Sequence, residues 1–264
     1  MTDQLVPQNV YNTLPYVYDD AGFSTYALEY TPIYFNFLQK NGWIGRRILD
    51  LGCGTGISVE FFSRQRMMTT GVDVSEAMIE VARERLENAS VDATLVCEDL
   101  RRYTPIEKAF DLIISIGDVM NYIASVRDLE GIFQRVNHGL DMGRTFLFDL
   151  RTVRSLAQDF GTQELVNKED LYVVVRNRYD YETQTLGQHF TFFYRDEAHD
   201  QPNFLRAEEN HILRGYPFRA VTTMLTRAGF EVKHTLDLNL DPFDPDKDPH
   251  GRVVIVAEKT RDLT

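Results

Sequence analysis

Apolar and polar positions along this chain follow two periods, and the change from one to the other divides it. Tyr30, Ile33, Tyr34, Phe37 and Leu38 recur at helical spacing, which predicts an amphipathic helix ending near Asn41-Gly42. From residue 47 onward, short apolar runs alternate with longer helical patterns. Strands are predicted over 47–51, 69–74, 93–97, 110–115 and 145–150, and helices over 57–64, from Ser75 through Leu86, and over 129–140. Strands alternating with helices predict an α/β fold with a parallel, doubly wound sheet.

The alternation breaks at about residue 155. Three β-rich runs follow, 172–181, 187–195 and 204–214, separated by Glu182-Thr183-Gln184 and by His199-Asp200-Gln201-Pro202-Asn203. Short connections of this kind predict an antiparallel β-meander inserted in the α/β frame. The frame resumes with a helix over 217–228, stopped by Gly229, and strands over 231–240 and 252–258. The chain therefore divides into an N-terminal helical segment (1–42), an α/β core (43–155), an inserted antiparallel sheet (156–215) and a C-terminal completion of the core (216–264). No internal repeat is present.

Composition narrows the setting. The 264 residues are 43% hydrophobic and carry 28 Lys+Arg against 40 Asp+Glu, a net charge of −12. That balance repels phosphate backbones, and no run of basic residues exceeds a pair or triplet, so no nucleic-acid partner is expected. No apolar stretch reaches a membrane span, and residues 1–12 are too polar for a signal peptide, which implies a cytoplasmic protein. Cys53 and Cys97 are too few for a disulfide framework or a thiolate zinc site. Asp241, Asp244, Asp246 and Asp248 crowd one loop but lack the EF-hand order, so no metal is expected.

The chemistry concentrates in Ile48-Leu49-Asp50-Leu51-Gly52-Cys53-Gly54-Thr55-Gly56. An apolar strand runs into three alternate glycines and then a helix, so backbone can turn sharply and lie against a ligand without a Cβ in the way. Asp73 ends the second strand, where a carboxylate can accept both hydroxyls of a ribose; its plainer reading is a cap for the helix at Ser75. Asp99 ends the third, where it can take an adenine amino group while Leu100 packs on the ring. Three successive strand ends would line one crevice at the carboxyl edge of the sheet. A dinucleotide fingerprint needs G-x-G-x-x-G, and here Ile57 stands where its last glycine belongs.

The segments Asp50–Gly56, Gly71-Val72-Asp73-Val74-Ser75-Glu76-Ala77-Met78 and Glu98-Asp99-Leu100 resemble the S-adenosylmethionine signature of class I methyltransferases. The resemblance runs on through Phe110–Ile114 and Ala228-Gly229-Phe230 into a closing antiparallel strand. It implies a Rossmann-like sheet with S-adenosyl-L-methionine as cofactor and S-adenosyl-L-homocysteine as product. Gly52, Gly54 and Gly56 would hold the methionine portion, Asp73 the ribose, and Asp99 with Leu100 the adenine. Asp50, Cys53, Val74, Met78, Glu98 and Ile116 would complete the cofactor's surroundings, with Tyr26 from the N-terminal helix.

Gly117-Asp118-Val119-Met120-Asn121-Tyr122 resembles the fourth-strand pattern of a small-molecule subgroup that includes amino-sugar and glycine N-methyltransferase-like enzymes. Members of that subgroup begin with a Tyr-Asp pair, here Tyr18-Asp19, followed by another tyrosine, for which Tyr26 and Tyr30 both qualify. Their E-x-H-x-x-R-x-Y run matches Glu209, His211, Arg214 and Tyr216. The resemblance makes His211, Asp118 and Tyr18 candidates for catalysis, and Asn121, Tyr122, Asp149, Arg151, His189 and Arg214 candidates for contact with the acceptor. Asp149 and Arg151 read equally well as a structural ion bridge.

The expected reaction is SN2 methyl transfer to a small molecule at an amine nitrogen, by a monomer or homodimer. Two alternatives stay open: O-methylation with His211 or Asp118 as base, and a catalytically silent cofactor-binding protein. A dinucleotide-dependent reductase is the third and weakest.

Overall fold

The computed structural model describes residues 10–161, 163–196, 203–245, 247 and 251–263. Its strands are β1 (Arg47–Leu51), β2 (Met68–Asp73), β3 (Thr94–Cys97), β4 (Phe110–Ser115), β5 (Leu140–Arg151), β6 (Gln163–Asn167), β7 (Leu171–Asp180), β8 (Thr185–Arg195), β9 (Phe204–Arg214), β10 (Phe230–Leu236) and β11 (Arg252–Lys259). Seven form one sheet in the order β10-β11-β5-β4-β1-β2-β3. The pairs among β1 to β5 are parallel, and β11 runs antiparallel to both its neighbours. This is the Rossmann-like arrangement with an antiparallel last strand.

The helices are α1 (Leu14–Val17), α2 (Thr25–Lys40), α3 (Ile57–Arg64), α4 (Glu76–Ala89), α5 (Val126–Gly139), α6 (Val153–Gln158) and α7 (Phe218–Arg227), with a 3-10 turn over Val119–Tyr122. Side-chain caps fix where several begin: Ser75 accepts from the Met78 N–H, Ser125 from Asp128 and Thr152 from Ser155. Because strands buried on both faces need helices on both, two cores form. On one side Leu129, Phe133 and Val136 of α5 meet Val221 and Leu225 of α7 over Phe146 and Phe148. On the other, Tyr34, Phe35 and Leu38 of α2 pack with Phe62 on Ile48, Leu112 and Leu147.

The insertion is an antiparallel sheet in the order β6-β7-β8-β9, one strand larger than its pattern predicts. The extra strand, β6, reads Gln-Glu-Leu-Val-Asn; its apolar residues are too few to announce it, and it stands as an edge paired to β7. Phe190 and Phe192 of β8 are buried on one face, and Glu209, His211 and Leu213 of β9 are buried together. Leu14, Val17, Tyr18 and Phe23 pack against Val173, Val175, Phe190 and Phe192, so the N-terminal segment and the inserted sheet share one apolar cluster. The β5 strand begins directly after α5, five residues earlier than predicted. Residues 199–202 of the second insertion turn, Asp246 and Asp248 of the acidic loop, and residues 1–9 lie outside the described residues.

Candidate functional site

A cavity of about 570 Å³ opens at the carboxyl ends of β1 to β4, within the range of roughly 300–1,000 Å³ usual for small-molecule sites. Its floor is the loop from Gly52 to Thr55 after β1. Asp73, Val74 and Ser75 follow from β2, Asp99, Leu100 and Arg101 from β3, and Ile116 and Gly117 from β4. Met78 at the start of α4 adds an apolar wall. Tyr11, Tyr18, Phe23 and Tyr26 close the cavity from the N-terminal side, and Tyr122 from the 3-10 turn.

Two glycines explain the loop. Gly52 has φ +75°, and a Cβ there would meet Val119 Cγ1 at 2.5 Å. Gly56 has φ +81°, and its Cβ would meet Ala82 Cβ at 2.9 Å, so this glycine serves the packing of α3 against α4 and does not line the cavity. The Gly52 and Cys53 N–H groups both donate to the Val72 carbonyl, at 2.7 and 3.0 Å, which locks the turn against β2.

The acids behave differently from one another. Asp73 accepts from the Gly54 N–H at 3.0 Å and from the Ser75 N–H at 2.9 Å, so it stitches the glycine loop and steadies Ser75, which itself caps α4, while lining the cavity. Burial lifts its carboxyl above the usual range, against the pull of those backbone donors. Asp99 lines the cavity with its carboxylate already held by the Arg101 backbone and guanidinium, which keeps it below the ordinary carboxylate range. Asp50 is buried behind the loop, outside the cavity wall, and burial with Asp73 nearby pushes it up to about 8. Glu98 also stays off the wall and accepts from the Asp99 N–H.

Tyr18 and Asp19 divide the work of their pair. Tyr18 faces the cavity, whereas Asp19 accepts from the Thr55 hydroxyl at 2.9 Å and pairs with Arg85, anchoring the N-terminal segment to the glycine loop. Burial raises the phenols of Tyr11, Tyr18, Tyr26 and Tyr122 well above their ordinary value, so all four stand neutral.

Most residues expected at the acceptor lie elsewhere. Asp149 is fully buried and accepts from the Gly117 and Asp118 N–H groups at 2.6 and 3.3 Å, filling a concavity of successive amides. Arg252 pairs with both Asp149 and Asp118, and its guanidinium lies 4.3 Å from the Tyr26 ring centroid. The expected Asp149–Arg151 bridge is absent from the ion pairs of the described residues: Arg151 turns instead to Asp159 at 2.6 Å and to Ser155. Asn121 donates to the Arg151 and Arg214 carbonyls and accepts from the Arg151 N–H, which ties β5 to the end of β9. His189 sits in the inserted sheet with Asn210, 2.7 Å away. Arg214 reaches the Ala124 carbonyl and lies over Tyr216. None of these side chains lines the cavity.

His211 is a special case. It is completely buried and off the wall, yet its Nδ1 lies 3.1 Å from the hydroxyl of Tyr122, which is on the wall. Residues the sequence did not single out include Tyr11, Phe23, Thr55 and Val119. Val119 was legible in principle as part of the Gly117–Tyr122 run; Tyr11, at φ +57° outside any helix, left no periodic signal. Among the described residues, no three His, Cys, Asp or Glu side chains are grouped to hold a metal ion, and no helix is long and apolar enough to cross a membrane.

The site fits S-adenosylmethionine: glycine backbone where a side chain would collide, carboxylates at the ends of β2 and β3, and apolar Met78, Leu100 and Ile116 beside them. Residues 48–143 match the family model described as a methyltransferase domain. Over 220 residues the chain is 26% identical to the Bacillus subtilis protein named "Putative methyltransferase YqeM", covering 82% of this chain and 85% of that one. A solved S-adenosylmethionine-dependent methyltransferase from Clostridium acetobutylicum superposes with a TM-score of 0.82 at 22% identity, over 96% of this chain and 100% of that one. The sugar N-methyltransferase KedS8 from Streptoalloteichus gives 0.69 at 17% identity, over 99% and 96%. At these identities the two solved structures establish a shared fold.

Proposed function

We propose that this chain, whose residues 48–143 match a methyltransferase domain, works as a class I S-adenosylmethionine-dependent methyltransferase on a neutral amine nitrogen of a small molecule. One observation carries the choice of nitrogen. Among the described residues that line the cavity there is no histidine and no lysine. Its carboxylates are Asp73, Asp99 and Asp128, of which Asp73 and Asp99 already accept from Gly54, Ser75 and Arg101, while Asp118 and Asp149, off the wall, pair with Arg252. A hydroxyl acceptor gains roughly 10²–10⁴-fold from a positioned base, whereas a neutral amine brings its own lone pair and needs only to be aimed.

In this reading the glycine loop, Asp73 and Asp99 hold the cofactor, and Val74, Met78, Leu100 and Ile116 cover its nucleobase. When bound, S-adenosylmethionine supplies an electrophilic methyl group on a sulfonium. The chain supplies position. Tyr11, Tyr18 and Phe23 exclude water and offer aromatic rings to positive charge, an attraction of about 0.5–2 kcal/mol each, while Tyr26, whose ring already carries Arg252, serves only as wall. Orientation by such walls can contribute roughly 7–11 kcal/mol to a bimolecular transfer. The N-terminal segment acts as lid and the inserted sheet as its backing.

The sugar N-methyltransferase neighbour names the first acceptors to try. Labelled methyl transfer is to be screened against amino sugars, amino acids and simple amines, with hydroxyl acceptors in parallel. Label on nitrogen is the expected result; transfer confined to hydroxyl acceptors sinks the reading.

A further inference from the structure

Glu209 joins the N-terminal segment to the inserted sheet through one buried carboxylate. Its Oε1 accepts from the backbone N–H groups of Thr13 and Leu14 at 2.5 and 2.8 Å. Its Oε2 accepts from the Tyr11 N–H at 2.9 Å and lies 3.0 Å from His211 Nε2. The other ring nitrogen, Nδ1, meets the Tyr122 hydroxyl at 3.1 Å. Tyr11 and Tyr122 both line the cavity, with ring centroids 5.8 Å apart. A single buried carboxylate thus reaches the lid through three amides and the cavity wall through one imidazole.

The carboxylate sets the direction of its own bonds. Burial pushes the Glu209 carboxyl up, but the His211 bond and the Leu14 and Thr13 amides outweigh it and hold the group below its ordinary range. An ionised carboxylate only accepts, so Nε2 must carry the proton facing it. With a neutral ring Nδ1 then accepts, the Tyr122 O–H points at His211, and the phenol oxygen is left to accept, with the Tyr11 hydroxyl beside it and the cavity on its open side.

We propose that Glu209 and His211 are positioning residues that act through Tyr122: Glu209 latches the N-terminal segment over the cavity and, through His211, sets the Tyr122 oxygen to accept an N–H from the acceptor amine. This rests on the amine reading above for the identity of the acceptor, but the latch and the direction of the relay are properties of the protein alone. The site that receives the acceptor is then complete only when the lid is docked, because both depend on one side chain. The nitrogen's N–H is held by Tyr122, and its lone pair is left free for the methyl group.

Histidine nitrogen spectra and amide hydrogen exchange test this on the intact protein. In the wild type His211 should show the Nε2–H tautomer, with the Tyr11, Thr13 and Leu14 amides protected. In Glu209→Gln the amide oxygen can still serve Thr13 and Leu14, while the amide NH₂ opposes Tyr11 and His211. Tyr11 exchange alone should then rise by about 10- to 100-fold, and His211 should invert to Nδ1–H. Glu209→Ala should release all three amides, with exchange elsewhere in the main sheet showing that the fold survives. An Nδ1–H or doubly protonated His211 in the wild type overturns the relay. Unchanged exchange at all three amides in both variants overturns the latch. Neither readout uses an acceptor, so their failure is distinct from that of the amine reading, which the methyl-transfer screen decides. With an amine substrate in hand, Tyr122→Phe should raise KM more than it lowers kcat; the reverse split overturns the role given to Tyr122.

Discussion

Arg252, the first residue of β11, forms a buried ion pair with Asp149 near the end of β5, across strands that run antiparallel. The same guanidinium meets Asp118 at 2.5 Å and lies over Tyr26. One cation therefore pairs with two acids that the sequence offered as candidates for catalysis and for contact with the acceptor. Arg252→Met should leave a fully buried carboxylate without its partner and cost about 3–5 kcal/mol. Burial raises Asp149 to about 6 even with Arg252 lowering it. A carboxyl raised in the folded state contributes stability that is complete below its unfolded value of about 3.9 and is lost as pH rises through the folded one. The variant's deficit should therefore be larger at pH 8 than at pH 5 in urea titrations. Equal deficits at both would argue against Asp149 as the source.

Asp50 offers a second pH test. It is held at about 8 by burial and by Asp73, so by the same rule its stabilising contribution fades as pH rises from about 4 through 8. Asp50→Asn mimics the protonated form. Its melting temperature should come closest to wild type near pH 3 and exceed it by a growing margin up to pH 9, by a free energy on the order of a few kcal/mol. Parallel curves for the two proteins would refute this.

Gly52 and Val119 should behave as a coupled pair. Gly52→Ala places a Cβ 2.5 Å from Val119 Cγ1 at φ +75° and should abolish S-adenosylhomocysteine binding in calorimetry. Adding Val119→Ala removes the collision but not the backbone cost of about 1–2 kcal/mol, so binding should return in part. If the double variant is no better than the single, the steric account fails.

Asp73→Asn should weaken S-adenosylhomocysteine by about 1.5–3 kcal/mol, the usual worth of a hydrogen bond to a charged group. Because the same carboxylate accepts from Gly54 and Ser75, thermal stability should fall as well. Affinity unchanged beside a lowered melting temperature would leave Asp73 only its role in bracing the Gly54 and Ser75 backbone.

Much was legible in the chain itself. The strand over Arg47–Leu51, the helix over Ile57–Arg64, the strand over Phe110–Ser115 and the cap at Ser75 all follow from periodicity and local hydrogen bonding, which act over a few residues. So does the glycine loop, because φ above zero beside a packed neighbour excludes other residues. β6 escaped because an edge strand exposed on both faces carries no alternation to read.

What the tertiary structure decided was which polar side chains face the cavity. Asp149 finds Arg252 after 103 residues, and Glu209 finds the Tyr11 amide after 198. Arg151 and Asn121 are likewise taken up by Asp159 and by the backbone around them. An acid at a strand end looks the same in sequence whether it waits for a ligand or holds a distant chain segment. Only long-range register brings the cation or the amide that claims it, and burial makes that claim strong enough to settle the residue's role.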